Sequence, residues 1–193
     1  MVDPVERHIE QALARCDCTA ELGDARTLTA ADRSYDAVLL LGPLYHLPER
    51  SERVQALREA RRVLRPGGPV AAAAISRHAA VLDLAAVDRL APESRMRETL
   101  ATGRHDRAIG FTTAYFHTAE ELASELAEAG FEDVRLNGIE GPTWTVLKGV
   151  EAHTGESLAA SGLLDSAIRA ARLTDGDPAL VAASSHLLAV GHA

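Results

Sequence analysis

A chain of 193 residues, 47% hydrophobic and 25% charged, has the make-up of a soluble globular protein long enough to bury one core. Its formal net charge of −8 argues against a nucleic-acid partner, which needs a basic surface to displace counterions. No basic, apolar leader opens the chain, and its most apolar stretch, Val70 to Ile75, is far too short to span a bilayer. A cytoplasmic protein with no membrane partner is expected. Aromatic residues make up only 4%, so Leu, Val, Ile and Ala must build the core.

Met1 to Asp3 reads as the tail of a strand. Val5, Ile9 and Leu13 recur at helical spacing, which predicts an amphipathic helix from Pro4 to about Arg15. Cys16 and Cys18 lack a further Cys or His pair at zinc spacing and read as reduced thiols at a helix–strand junction. No metal is expected. Thr19 to Leu22 is a short strand. Ala37 to Leu41 is an apolar run bounded by Asp36 and Gly42-Pro43, the pattern of a strand buried on both faces. Glu49 to Leu64 is a helix with Val54, Leu57 and Leu64 inward, stopped by Pro66-Gly67-Gly68. Its Arg58, Arg61 and Arg62, with Arg65 beyond, alternate with Glu59 and read as a solvated face.

Val70 to Ile75 is the next buried strand. Residues 77–110 carry helical spacing interrupted by Pro92 and Gly103, and are expected to form a helical insertion, or lid, over the open sheet edge. His78, His105 and His117 lie on or beside it and could line a substrate pocket, but read better as surface polar residues. Phe111 to Phe116 is loop or short strand. Thr118 and Glu121 form a capping box, opening a helix that ends at Gly130. Phe131, Val134, Leu136 and Ile139 mark a strand. Ser157 to Leu173 reads as a helix broken by Gly162, and Asp177-Pro178 opens another. Leu187 to Val190 is a closing strand. Helices alternating with apolar strands predict a single α/β domain, doubly wound around a mostly parallel sheet.

In such a sheet, ligands bind outside the carboxyl ends of the strands. Three stretches stand there. Asp3 is an acid that can accept the two hydroxyls of a ribose, and it is also suited to cap the helix after Pro4. Asp24 and Ala25 follow the second strand, where a turn Asp after Gly23 is common. Leu41 to His46 follow the third, with Tyr45 and His46 the nearest polar groups.

These segments, with the block from Ser34 to Arg77 the strongest, resemble the class I S-adenosylmethionine-dependent methyltransferases from the second strand of that fold onward. The resemblance implies a Rossmann-like fold closed by an antiparallel strand, S-adenosylmethionine as cofactor, and methyl transfer to a small molecule. It implies that Asp3 takes the ribose, Asp24 and Ala25 the adenine, and Leu41 and Gly42 the region near the sulfonium, with Tyr45 and His46 as candidate catalytic groups. The family's first strand and glycine-rich turn have no counterpart here, and no G-x-G occurs in the sequence. The expectation is a truncated chain whose transfer activity is impaired. The alternative is a non-catalytic, methyltransferase-like binding protein that associates through an open sheet, with a homodimer as one form.

Overall fold

The computed structural model describes residues 1–90, 92–109, 111–159 and 161–193. β1 (Val2–Asp3) leads into α1 (Glu6–Arg15) and returns as β2 (Glu21–Leu22), which pairs parallel with β1. These two strands form a small sheet of their own. β3 (Val38–Leu40), the short α2 (Pro43–His46) and α3 (Arg50–Val63) then bring the chain to β4 (Pro69–Ser76), the centre of a six-stranded sheet.

β4 holds three partners. β3 lies parallel along its first half, Val38 opposite Val70 and Leu40 opposite Ala72. After α4 (Ala79–Ala86), α5 (Glu93–Thr102), β5 (Arg104–His105) and a 3₁₀ turn over Arg107–Ile109, β6 (Ala114–His117) pairs parallel with its second half. α6 (Ala119–Glu128), β7 (Glu132–Gly138), α7 (Trp144–Thr154), α8 (Gly162–Leu173) and α9 (Pro178–Val181) precede β8 (His186–His192). β8 runs antiparallel along β4 from Pro69–His192 to Ile75–His186 and antiparallel to β7. The closing antiparallel strand expected from the sequence is therefore present. Because β8 covers one whole edge of β4, β3 and β6 share the other.

The main core lies between this sheet and the pair α3 and α6: Leu57, Ala60 and Leu64 meet Leu122 and Leu126 over Val70, Ala72 and Ala74. The i, i+3 and i+4 spacing of the apolar positions of α3 builds its buried face, and Val54, Leu57 and Leu64 point inward as expected. The capping box at Thr118 forms as predicted, with Glu121 N donating to Thr118 Oγ1 at 3.2 Å and Thr118 N donating to Glu121 Oε2 at 2.9 Å.

Five points differ from the expectations. β3 is not buried on both faces: Leu40 is, but Leu39 is 71% exposed. β3 is bonded to β4 on one side alone among the described residues, so its second apolar face has nothing to pack on. α1 buries no residue, and Val5 and Leu13 remain exposed. Gly162 does not break a helix; it is the first residue of α8, behind the cap Ser161. α7 went unanticipated, since Gly149 and its threonines interrupt the apolar spacing and it buries Leu147 alone. The stretch expected as a purely helical insertion also adds a strand, for β5 extends the sheet beside β6.

Candidate cofactor and acceptor site

The ends of β1 and β2 are drawn together by Gly23, whose N–H donates to Asp3 O at 3.1 Å. A Cβ at Gly23 would stand 2.8 Å from Val2 Cγ1, so the close approach requires glycine. Asp3 and Asp24 therefore share one rim. Asp3 Oδ1 accepts from Val5 N at 2.9 Å and meets His8 Nδ1 at 3.0 Å. The cap position of α1 falls on Val5, so Asp3 secures the turn before the helix rather than capping it. Asp3 Oδ2 has no hydrogen-bond partner among the described residues, and that oxygen is the one able to accept a ligand hydroxyl.

Asp24 is more committed. Its carboxylate accepts from Arg26 N at 2.8 Å, Nε at 3.0 Å and Nη2 at 2.5 Å. The Arg26 side-chain hydrogen bond holds the Asp24 pKa below the usual range, and Asp24 in turn raises that of Arg26. Arg26 also pairs with Glu52 at the start of α3. Ala25 packs against the main core. The Asp24 turn is thus tied to α3 through Arg26, a bond that the two-residue spacing from Asp24 to Arg26 could have signalled.

At the end of β3, Leu41 is exposed and Gly42 is the cap position of α2. Tyr45 and His46 lie on α2, their rings 4.6 Å apart, while Leu44 anchors the turn in the core. Tyr45 packs against Ile75, Ala79, Ala114 and Phe116. Partial burial lowers the His46 pKa, and the charge of Asp3 pushes it the other way.

Beside this rim lies a buried polar cluster that sequence reading missed. Arg53 on α3 and Glu125 on α6, each 1% exposed, meet at 2.7 Å. Arg53 also donates to Leu47 O at 3.0 Å and Pro48 O at 2.8 Å, and its guanidinium lies 3.6 Å above the Tyr115 ring. His117 Nε2 lies 3.2 Å from Glu125 Oε2. His117 and His105 are buried, not on the surface as expected. The alternation of β6 is the missed signal: Tyr115 and His117 point to this cluster, Ala114 and Phe116 to the apolar one beside Tyr45. A separate cleft of about 260 Å³ between α7 and α8 is lined by none of these residues, and its one carboxylate, Glu140, is occupied by Ser184 and His186.

An α/β sheet of this connectivity, closed by an antiparallel strand and carrying acids at the carboxyl rim, is the Rossmann-like methyltransferase fold. Comparison with known proteins agrees. Residues 1–68 match the methyltransferase domain family. Over 153 residues the chain is 31% identical to the ubiquinone/menaquinone biosynthesis C-methyltransferase of Nitrobacter hamburgensis, covering 78% of this chain and 56% of that relative. The chain thus spans about half the length of this curated relative. Among solved structures it resembles a methyltransferase of Thermotoga maritima described as a possible histamine N-methyltransferase, at TM-score 0.61 and 19% identity, over 99% of this chain and 71% of that one. It also resembles an S-adenosylmethionine-dependent methyltransferase of Methanosarcina mazei, at TM-score 0.57 and 17% identity, over 99% of this chain and 79% of that one. The chain is thus similar to methyltransferases through its first 68 residues and through 153 residues shared with a C-methyltransferase, and it has their fold.

Proposed function

We propose that this chain binds S-adenosylmethionine at the rim formed by β1, β2 and β3 and serves methyl transfer to a small-molecule acceptor. The carrying observation is the pairing of Asp3 and Asp24 at adjacent strand ends, with Asp3 Oδ2 free of any partner among the described residues. The donor set suits an adenosine: one unengaged carboxylate oxygen for the ribose hydroxyls, and a second carboxylate with a small neighbour, Ala25, for the base. Asp24 accepts a ligand amine through the lone pairs that Arg26 leaves open. Leu41 and Gly42 offer backbone and apolar surface beside the reacting end.

The bound cofactor supplies an electrophilic methyl carbon on a sulfonium, so the hard chemistry is its own. The residues of this chain align the acceptor, exclude water and hold its proton. His46, whose pKa lies below the usual histidine value, offers a neutral ring nitrogen as proton acceptor near pH 7. Tyr45 forms the wall beside it. The Nitrobacter relative, by its name, acts in quinone biosynthesis, which supports a small acceptor rather than a macromolecule.

Calorimetric titration with S-adenosylhomocysteine tests this reading. Asp3→Asn keeps an oxygen for the Val5 turn but removes the charge, and is expected to weaken binding roughly tenfold. No binding by the unaltered chain, or equal affinity in both, overturns it.

A second reading is favoured by the exposed apolar residues along the unpaired side of β3 and the β1–β2 sheet: Leu39, Leu41, Val2 and Leu22. Strand edges of this kind are association sites. Two copies joined there would scatter light as a dimer, and Leu39→Lys would return them to monomers; a monomeric unaltered chain sinks this alternative.

A further inference from the structure

β5 and β6 form a two-stranded ribbon with unlike faces. One face carries Tyr115 and His117 into the Arg53–Glu125 cluster, where charge is met by charge. The other carries Ala114 and Phe116 toward Ile75, Ala79 and Tyr45. His105 stands opposite Ala114 in the ribbon and so lies on this second face. Its ring stacks on Phe116, centroids 4.7 Å apart and planes at 10°, with Phe111 6.2 Å away.

His105 is only 4% exposed, yet neither Nδ1 nor Nε2 has a hydrogen-bond partner among the described residues. Buried polar atoms are nearly always paired, and leaving two unpaired on one ring is costly. A phenylalanine would fill the same stack without that cost. Burial lowers the pKa of His105, so near neutrality the ring offers one N–H donor and one bare nitrogen. Delivery of the ring is exacting. Gly103 turns the chain from α5 into β5 at φ +76°, and a Cβ there would strike Phe116 O at 2.7 Å.

We propose that His105 belongs to the acceptor subsite and hydrogen-bonds a planar acceptor that carries a hydroxyl or carbonyl group and stacks along the Phe116–Tyr45 wall. This rests on the methyl-transfer reading above. A buried imidazole with two unbonded nitrogens beside apolar side chains selects a ligand that is flat, largely apolar and polar at its edge. The exposed Phe111 lies 6.2 Å from the imidazole and is tilted at 58° to it.

The test uses His105→Phe with 2-naphthol and 1,4-naphthoquinone as probes, titrated with and without S-adenosylhomocysteine. The variant should melt higher by about 2–5 °C, because an unpaired polar ring has been replaced by an apolar one. It should bind S-adenosylhomocysteine as the unaltered chain does, and bind the better probe at least roughly tenfold more weakly. His105→Gln, which restores a donor and an acceptor, should recover part of the loss. In the unaltered chain, the imidazole ¹⁵N resonances of His105 should move on adding the probe. A stabilised His105→Phe that binds both probes normally means that the nitrogens serve only buried water, and overturns the proposal. So does an unaltered chain that binds neither probe. Probe binding that depends on His105 in a chain with no affinity for S-adenosylhomocysteine would retain this subsite and sink the cofactor reading instead.

Discussion

Removing the Arg53 guanidinium should be among the most damaging single changes outside the apolar core. Arg53 reaches Glu125 through three contacts of 2.7 to 3.0 Å and two carbonyls, Leu47 O and Pro48 O, through Nη1. Arg53→Met keeps the side-chain stem and removes every one of these donors. Glu125 would then sit ionised in the interior with the Nε2–H of His117 as its main donor, since Arg50 Nε is 4.0 Å away. Breaking a buried pair by deleting one partner costs about 3–5 kcal/mol. That is a large part of the ~5–15 kcal/mol that holds a domain folded. Removing both charges, Arg53→Met with Glu125→Leu, should recover most of the loss, because no charge is then left stranded. The remaining deficit belongs to the carbonyls of Leu47 and Pro48 and to His117 Nε2, which loses Glu125. Urea unfolding at pH 7 of the four chains gives the coupling directly. A loss under about 1 kcal/mol in Arg53→Met, or a double variant no better than the sum of the singles, would refute the reasoning.

The same cluster sets the acid response. Burial pushes the Glu125 carboxyl up, but the hydrogen bonds from His117 and Arg53 outweigh it and hold its pKa below the usual range. Stability from Glu125 is therefore present above its unfolded pKa and fades as pH falls through the folded one. Burial lowers the His117 pKa, so its contribution is likewise lost with acid, starting near the ordinary histidine value. In the double variant the carboxylate part should vanish and leave the histidine part, a difference visible in melts between pH 3 and 7.

Gly103→Ala should cost at least about 2 kcal/mol in urea unfolding, since a left-handed residue gains a Cβ 2.6 Å from Arg77 Nη2 and close to the Phe116 carbonyl. Thr118→Ala removes the cap of α6 and should cost about 1 kcal/mol, read from the same curves. Glu140 has its pKa brought down to about 2, where the hydrogen bonds of His186 and Ser184 outweigh its burial, while Glu140 raises that of His186. Glu140→Gln should therefore lower the melting temperature near pH 6, and the gap to the unaltered chain should close as pH falls from about 4.5 toward 2. A gap that persists at pH 2 would show that the carboxylate charge is not what matters there.

The fold was legible wherever periodicity and terminators agreed. Val54, Leu57 and Leu64 with Pro66-Gly67-Gly68 set α3, and Thr118 with Glu121 set the start of α6, because both signals are local. β3 was read correctly as a strand but wrongly as buried on both faces. A continuous apolar run reports what a strand can bury, and Leu39, 71% exposed, finds nothing among the described residues to bury it. α7 failed for the opposite reason: Trp144, Leu147 and Val150 follow helical spacing, yet the surrounding Gly and Thr weaken the pattern. The boundary at Ser161-Gly162 was misread because glycine at the first turn of a helix and glycine inside one look alike until the cap is known.

For the proposed site, the order of elements located the candidate residues but not the bonds they make. Asp3, Asp24 and the Leu41–His46 stretch were found from their places after strands, and those places depend only on the order of elements. How free each carboxylate is depends on side chains that folding brings near, such as Glu52, which fixes Arg26 across the Asp24 turn. The histidines show the same limit more sharply. His105 and His117 are each one polar residue in a polar stretch, yet both end buried on opposite faces of one ribbon. The face decides their chemistry: His117 joins a network that satisfies its Nε2, whereas His105 stacks on Phe116 with neither nitrogen bonded among the described residues. A residue's type gives its possible bonds; the parity of its strand position, once the ribbon is paired, decides which of them are met.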